Sequence, residues 1–275
     1  LKAFGLALVI AAAAPTVAAA PLPFTAVEPI ATRQGAVVRT RLPRPGHDLT
    51  LDGKPVPVTG DGSFMIGIDR DAAATALLAW TTDDGRPARW PVTITAQAWD
   101  TDVLPARLSM PGPPNPEYDA RRERELGAVK AARADLSPLP FWQNRFIRPV
   151  AGRISTNFGA QRIYGDRPAA PHGGMDIAAP TGTPILSPTP AIVRLAAGPF
   201  ALEGNLVILD HGLGLYSVMM HLSRVDVKAG QIVAQGEPIG LVGATGRATG
   251  AHLHWGMTWL GVRVDPATLM TEETR

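Results

Sequence analysis

Five of the six histidines in this chain fall between positions 172 and 254, and the residues around them could hold a metal ion. His172-Gly-Gly-Met-Asp176 has a His-x-x-x-Asp spacing, His252-Leu-His254 places two imidazoles two residues apart, and His221 ends an apolar run. Neutral imidazole nitrogen and carboxylate oxygen are ordinary zinc ligands, and a catalytic zinc keeps three of them with one position open. On a strand, residues two apart share a face, so His252 and His254 point together while Leu253 and Trp255 pack behind. Glycines 173 and 174 let backbone crowd against such a centre. Each pattern alone arises by chance; their joint occurrence in one glycine-rich stretch is the informative observation.

Other chemistries are narrowed by composition. The 275 residues contain no cysteine, which removes thiolate nucleophiles, disulfides and Cys-ligated zinc together. Lys and Arg total 26 against 24 Asp and Glu, a net charge of +2 with no basic run, so a nucleic-acid partner is not expected. His211, in Asp210-His-Gly, reads as a turn between strands, and His47 as an exposed residue far from the others. Tyr216 and Arg162 are candidates for touching substrate, without a pattern to assign them.

The elements that must position these residues read as β structure throughout. From Ile147 the expected strands are Val193–Ala196, Asn205–Leu209, Leu215–His221, Gln231–Val233, Ile239–Val242 and His252–Met257, separated by Gly and Pro. Upstream, Asp52-Gly53, Asp61-Gly62 and Asp84-Gly85 sit between short alternating apolar runs, which is a hairpin signal. They imply a small antiparallel, immunoglobulin-like sandwich over residues 25–100. Residues 101–146 form a proline-rich linker followed by a charged helix, capped by Asn115-Pro116 and running through Asp119–Ala134. Its charged face is expected to be solvated. Residues 1–20, with Lys2, an apolar core and the small residues Val17–Ala20, read as an export signal. It is the only contact with a membrane that the sequence suggests, and the oligomeric state stays open.

Several motifs extend the histidine pattern. Ser155-Thr-Asn-Phe-Gly159, His172-Gly-Gly-Met-Asp176-Ile-Ala-Ala-Pro180, His221-Leu-Ser223 and Gly243-Ala-Thr-Gly-Arg-Ala-Thr-Gly250 running into Ala251-His-Leu-His-Trp255 occur in that order. Over residues 147–270 the chain resembles the lysostaphin-type, LytM-domain zinc metallopeptidases, the family of peptidoglycan DD-endopeptidases. The resemblance implies an all-β fold, with a LytM-like duplicated hybrid motif in the C-terminal domain beside the N-terminal sandwich. It implies one zinc per chain on His172, Asp176 and His254, with His221 and His252 as the catalytic pair. Which of that pair is the general base is left undecided. It also implies action on peptidoglycan peptide stems in the periplasm or secreted cell envelope. A non-catalytic LytM-like regulator that binds a cell-wall amidase is the alternative of another class, disfavoured because every ligand position is filled. Val227–Gly236 is similar to lipoyl or biotinyl carrier hairpins, but a carrier leaves Asp176 and the export signal unexplained, and this chain has no modifiable lysine in a Met-Lys hairpin.

Overall fold

The computed structural model describes residues 28–105 and 115–270. The expected export signal and prolines 111, 113 and 114 of the linker lie outside the described residues.

Two sheets make up the N-terminal part. One runs in the order Ile30–Arg33, Pro87–Thr95, Thr75–Thr82, Gly46–Leu51 and Lys54–Pro55, and the other pairs Val37–Arg41 with Ser63–Gly67. The Asp-Gly pairs are turns as expected. Asp52 and Gly53 both have positive φ, 49° and 77°, and connect Gly46–Leu51 to Lys54–Pro55. Inward-facing Leu78, Trp80, Val92 and Ile94 alternate with outward positions along two neighbouring strands. Strand Ser63–Gly67 is buried on both faces, because its second face meets the C-terminal part. A side-chain carbon at Gly67 would lie 2.8 Å from Val264 Cγ1 and 3.1 Å from the Trp259 ring. Phe64, Ile66, Trp259 and Val264 belong to one apolar core that runs across both parts. Polar contacts follow the same seam: Asp265 N–H donates to the Gly35 carbonyl at 2.7 Å, and Arg39 Nη1 donates to Trp142 and Asn144 carbonyls at 3.0 and 2.6 Å.

The C-terminal sheet carries the site. Its order is Ile232–Val233, Ala191–Phe200, Gly204–Gly212, Leu215–Leu222, His252–Trp259, Gly174–Ala178 and Arg153–Thr156, with Val262–Val264 paired to His252–Trp259. Pleating splits its residues between two faces. Val207, Leu209, Met219, Leu253, Trp255 and Met257 enter the large core. Leu206, Ile208, Tyr216 and Val218 form the other face, and Val129 and Ala132 of the helix Pro116–Ala132 pack on it. The helix covers only part of that face. His252 and His254 occupy the uncovered remainder.

That helix starts as its sequence implies: the Asn115 side chain accepts the Tyr118 N–H at 3.1 Å, and Pro116 fills the first turn. It ends at Ala132, two residues earlier than expected. Its charged face is solvated at Glu117, Asp119, Arg121, Glu123, Arg124 and Lys130, but Arg122 and Glu125 turn inward. Glu125 is 7% exposed and accepts from Arg121 and Arg122 at 2.7 and 2.5 Å, while Arg122 also forks onto Glu203 at 2.7 and 3.1 Å. The linker differs too. Thr101–Leu104 is a strand, paired in parallel with Gln161–Tyr164, so this segment joins the C-terminal part instead of merely spanning to it.

Candidate metal centre and groove

Antiparallel pairing of Gly174–Ala178 with His252–Trp259 puts Asp176 directly opposite His254 and Ala178 opposite His252. The i, i+2 argument therefore holds locally: both histidines rise from one face, with Leu253 and Trp255 fully buried behind them. His172 precedes the same strand. Its Nε2 lies 3.0 Å from Asp176 Oδ1 and 3.0 Å from His254 Nδ1, and His254 Nδ1 lies 2.7 Å from Asp176 Oδ1. The three ligand atoms fall within 4.8 Å of one another.

The donor set fits a cation. His172 Nδ1 donates to the Asn157 carbonyl at 2.9 Å, which leaves the Nε2 lone pair facing two other electron-rich atoms. One proton shared between His254 and Asp176 satisfies only one of these approaches, whereas a divalent ion at the centre satisfies all three. The orienting carbonyl is the kind of outer partner that fixes a ligand tautomer. Burial works against ionisation of Asp176, yet the adjoining His172 and His254 imidazoles outweigh it and hold the carboxyl far below its usual range. Burial likewise keeps His254 below the ordinary imidazole value, against the pull of Asp176.

Glycine has a specific role here. A side-chain carbon on Gly174 would sit 2.5 Å from the Trp255 carbonyl and 2.8 Å from His254 Nε2, so only glycine leaves the ring its place. Gly173 differs, because a side-chain carbon there would meet the flexible Arg263 side chain, 3.2 Å from its guanidinium.

His221 and His252 stand beside this trio, their ring centroids 4.8 Å apart and His221 6.2 Å from His254. Each Nδ1–H is taken by a backbone carbonyl, Thr245 for His221 and Gly250 for His252, both at 2.8 Å. Each Nε2 is thereby left as the basic nitrogen, and that of His252 lies 3.8 Å from Asp176 Oδ1. His221 has a left-handed backbone, φ 66°, held by its N–H bond to the Glu203 carbonyl at 2.9 Å. Burial, followed by the neighbouring His254, pushes its pKa down to about 4, so it is neutral at physiological pH. The glycine-rich stretch 243–250 is thus the loop that supplies the carbonyls for both rings.

These groups line a groove of about 730 Å³, walled by Leu126 and Val129 of the helix on one side and by Asp102, Leu104 and Arg162 on the other. Tyr216 does not reach it. Its hydroxyl donates to the Asp135 carbonyl, and its ring packs under the helix. His211 is a correction to the expected turn. It lies inside strand Gly204–Gly212, fully buried, with Nε2 2.8 Å from Ser217 Oγ, and the chain reverses only at Leu213-Gly214. His47 is exposed beside Asp48, away from the site.

Residues 170–266 match Peptidase family M23. A crystal structure of an M23 peptidase from Pseudomonas aeruginosa is 32% identical, with a TM-score of 0.64 over 86% of this chain and 94% of that one. The chain belongs to peptidase family M23. The M23 match contains all five converging residues, His172, Asp176, His221, His252 and His254. Among curated relatives, the peptidoglycan DD-endopeptidase ShyA of Vibrio cholerae is 43% identical over 105 residues, 38% of this chain and 24% of that protein. The cell division protein DipM of Caulobacter vibrioides is 30% identical over 203 residues, 68% of this chain and 32% of that protein. The chain thus spans about a quarter to a third of the length of these relatives. Asn157, which orients His172, lies before the M23 match. Its part is played by a backbone carbonyl, so its side chain gives no sign of it.

Proposed function

We propose that this chain is a zinc endopeptidase that hydrolyses peptide cross-links of peptidoglycan in the periplasm or secreted cell envelope. The observation that carries this reading is the convergence of three metal-ligand atoms and two further imidazoles, with Asp176, His221, His252 and His254 lining one open groove. His172 Nε2, Asp176 Oδ1 and His254 Nδ1 would hold a single zinc. When bound, zinc supplies a water acidified toward neutrality and a Lewis acid for the scissile carbonyl.

The rest is done by the chain's own residues. His221 and His252 present unprotonated Nε2 atoms, because both Nδ1–H groups are committed to carbonyls. One accepts the proton of the attacking water and delivers it to the leaving amine; the other, taking a proton from solvent onto Nε2, donates a hydrogen bond to the developing oxyanion and returns that proton on product release. Tautomer alone does not separate them, as both are held the same way. The open groove admits an extended peptide, while Leu126 and Val129 give it an apolar wall. Cross-bridges between D-alanine and diaminopimelate are the proposed bond. A regulator that only binds a partner has no use for five intact groups at one centre.

The test is to load the purified chain with zinc, incubate it with sacculi and sequence the released muropeptides. Cleaved cross-bridge peptides are expected, and chelation should abolish their release. Intact cross-links after full zinc loading would overturn the reading.

A further inference from the structure

The groove holds more positive charge than its own carboxylates neutralise. Of the acidic residues lining it, Glu203 is bonded to Arg122 and Asp176 Oδ1 belongs to the ligand set. Asp102 remains, against Arg133, Arg162, Arg263 and Arg247, the last lying over the Tyr164 ring. Arg263 lies over Gly173 next to His172, and Arg133 is kept below its ordinary pKa by burial and then by Arg263 nearby. Like charges held together in this way are costly unless an anion comes between them.

Arg162 is the best placed of the four. Strand Gln161–Tyr164, held between Thr101–Leu104 and Arg167–Pro168, fixes it beside the metal centre with only 24% of its side chain exposed. Its Nη2 is 3.9 Å from Asp176 Oδ2, the oxygen turned away from His172 and His254, and its Nε is 3.7 Å from Asp102 Oδ2. Both separations exceed hydrogen-bonding reach. The Nε is shielded from solvent without a partner, and no guanidinium hydrogen bond of Arg162 is found among the described residues. Flanking carboxylates therefore hold the charge in place without satisfying its donors. A planar fork of unspent N–H groups, next to the reacting centre and open to the groove, matches the geometry of a carboxylate.

We infer that Arg162 binds a free carboxylate of the substrate beside the scissile bond, making the enzyme selective for acidic over amidated cross-links. This rests on the endopeptidase reading and names the chemistry of its substrate. Arg133 and Arg263 add to the attraction along the groove without defining the position.

The experiment compares two synthetic cross-linked peptides, identical except that the carboxyl group flanking the scissile bond is free in one and amidated in the other. Zinc-loaded unaltered protein, Arg162→Gln and Arg162→Lys are assayed on both, with zinc content and thermal midpoint measured in parallel. A charge-assisted hydrogen bond contributes about 1.5–3 kcal/mol, equivalent to a preference of roughly 10- to 100-fold in kcat/KM for the free acid. Arg162→Gln should reduce that ratio to near one by slowing only the acid substrate, with zinc unchanged, and Arg162→Lys should retain part of it. Equal slowing of both peptides by Arg162→Gln, or loss of zinc, would mean that Arg162 merely positions Asp176 and would overturn the inference. So would cleavage of both peptides at equal rates by the unaltered protein. If the zinc-loaded protein cleaves neither peptide nor sacculi, it is the endopeptidase reading that falls.

Discussion

The backbone N–H of His221 donates to the carbonyl of Glu203 at 2.9 Å, and the carboxylate of the same glutamate is forked by Arg122 from the helix Pro116–Ala132. A catalytic candidate in a left-handed conformation is thereby tied, through one residue, to an element outside its own sheet. Glu125 reinforces the tie by accepting the Ala201 N–H at 2.9 Å.

Removing Arg122 should expose how much that tie matters. Arg122→Ala leaves Glu125 and Glu203 facing each other, both largely buried, without the cation between them. Breaking a buried pair from one side costs about 3–5 kcal/mol. Thermal unfolding should show that loss, and turnover should drop while bound zinc stays stoichiometric, because no ligand touches the helix. An unchanged melting temperature would mean that the network contributes nothing.

Acid should destabilise the fold through His211. Burial outweighs the favourable effects of the Pro190 carbonyl and Asp210 and lowers its pKa to about 4, against 6.5 for the free side chain. The folded-state value lies below the unfolded one, so the unfolded chain takes up the proton first. Stability from this residue is complete above about pH 6.5 and is lost as pH falls through 4, about 3 kcal/mol in all. Denaturant titrations between pH 7 and 4 should give a shallower slope for His211→Gln than for the unaltered protein. Equal slopes would assign the acid sensitivity elsewhere.

A chain beginning at Phe141 tests the seam between the two parts. The proline-rich stretch 105–116 implies a sandwich that folds separately, but Phe64 and Ile66 share a core with Trp259 and Val264. Each large apolar side chain stripped of its cover forfeits about 1.5–3 kcal/mol. The truncated protein should melt well below the full chain and tend to aggregate. A soluble product with an unchanged melting temperature would show that the seam is only a contact.

Much of the centre could be read from sequence because its logic is local. His252 and His254 needed only the two-residue period of a strand, and the Asp-Gly turns needed only their left-handed preference. Strands such as Leu215–Leu222 and His252–Trp259 showed in their apolar patterns. The short strands around His172, among them Arg153–Thr156 and Gln161–Tyr164, lacked such a pattern. They depend on pairing partners distant in sequence: Thr101 lies opposite Gln161, and Asp176 opposite Thr156. The same applies to the orienting carbonyls of Asn157, Thr245 and Gly250, which any residue could offer. His211 was misread because Asp-His-Gly looks like a turn, whereas the sheet continues through it and the turn uses Leu213 at φ 46°. The solvated helix face has an inward exception, Arg122 and Glu125, for a related reason. Arg122 pairs within one turn with Glu125, but their remaining partners are distant in sequence: Glu203 for Arg122, 81 residues away, and the Ala201 N–H for Glu125.

The division of roles between ligands and proton carriers is tested most directly by bound zinc and cell-wall release, measured together for His221→Ala and His254→Ala. His254 Nδ1 sits in the trio with His172 and Asp176, while His221 lies outside it with its Nδ1–H on Thr245. His221→Ala should therefore keep about one zinc per chain and lose roughly a hundred- to ten-thousand-fold in turnover, the usual cost of a positioned acid or base. His254→Ala should lose zinc and activity together. If His221→Ala is as metal-free as His254→Ala, or retains near-normal turnover, the assignment of the centre is contradicted.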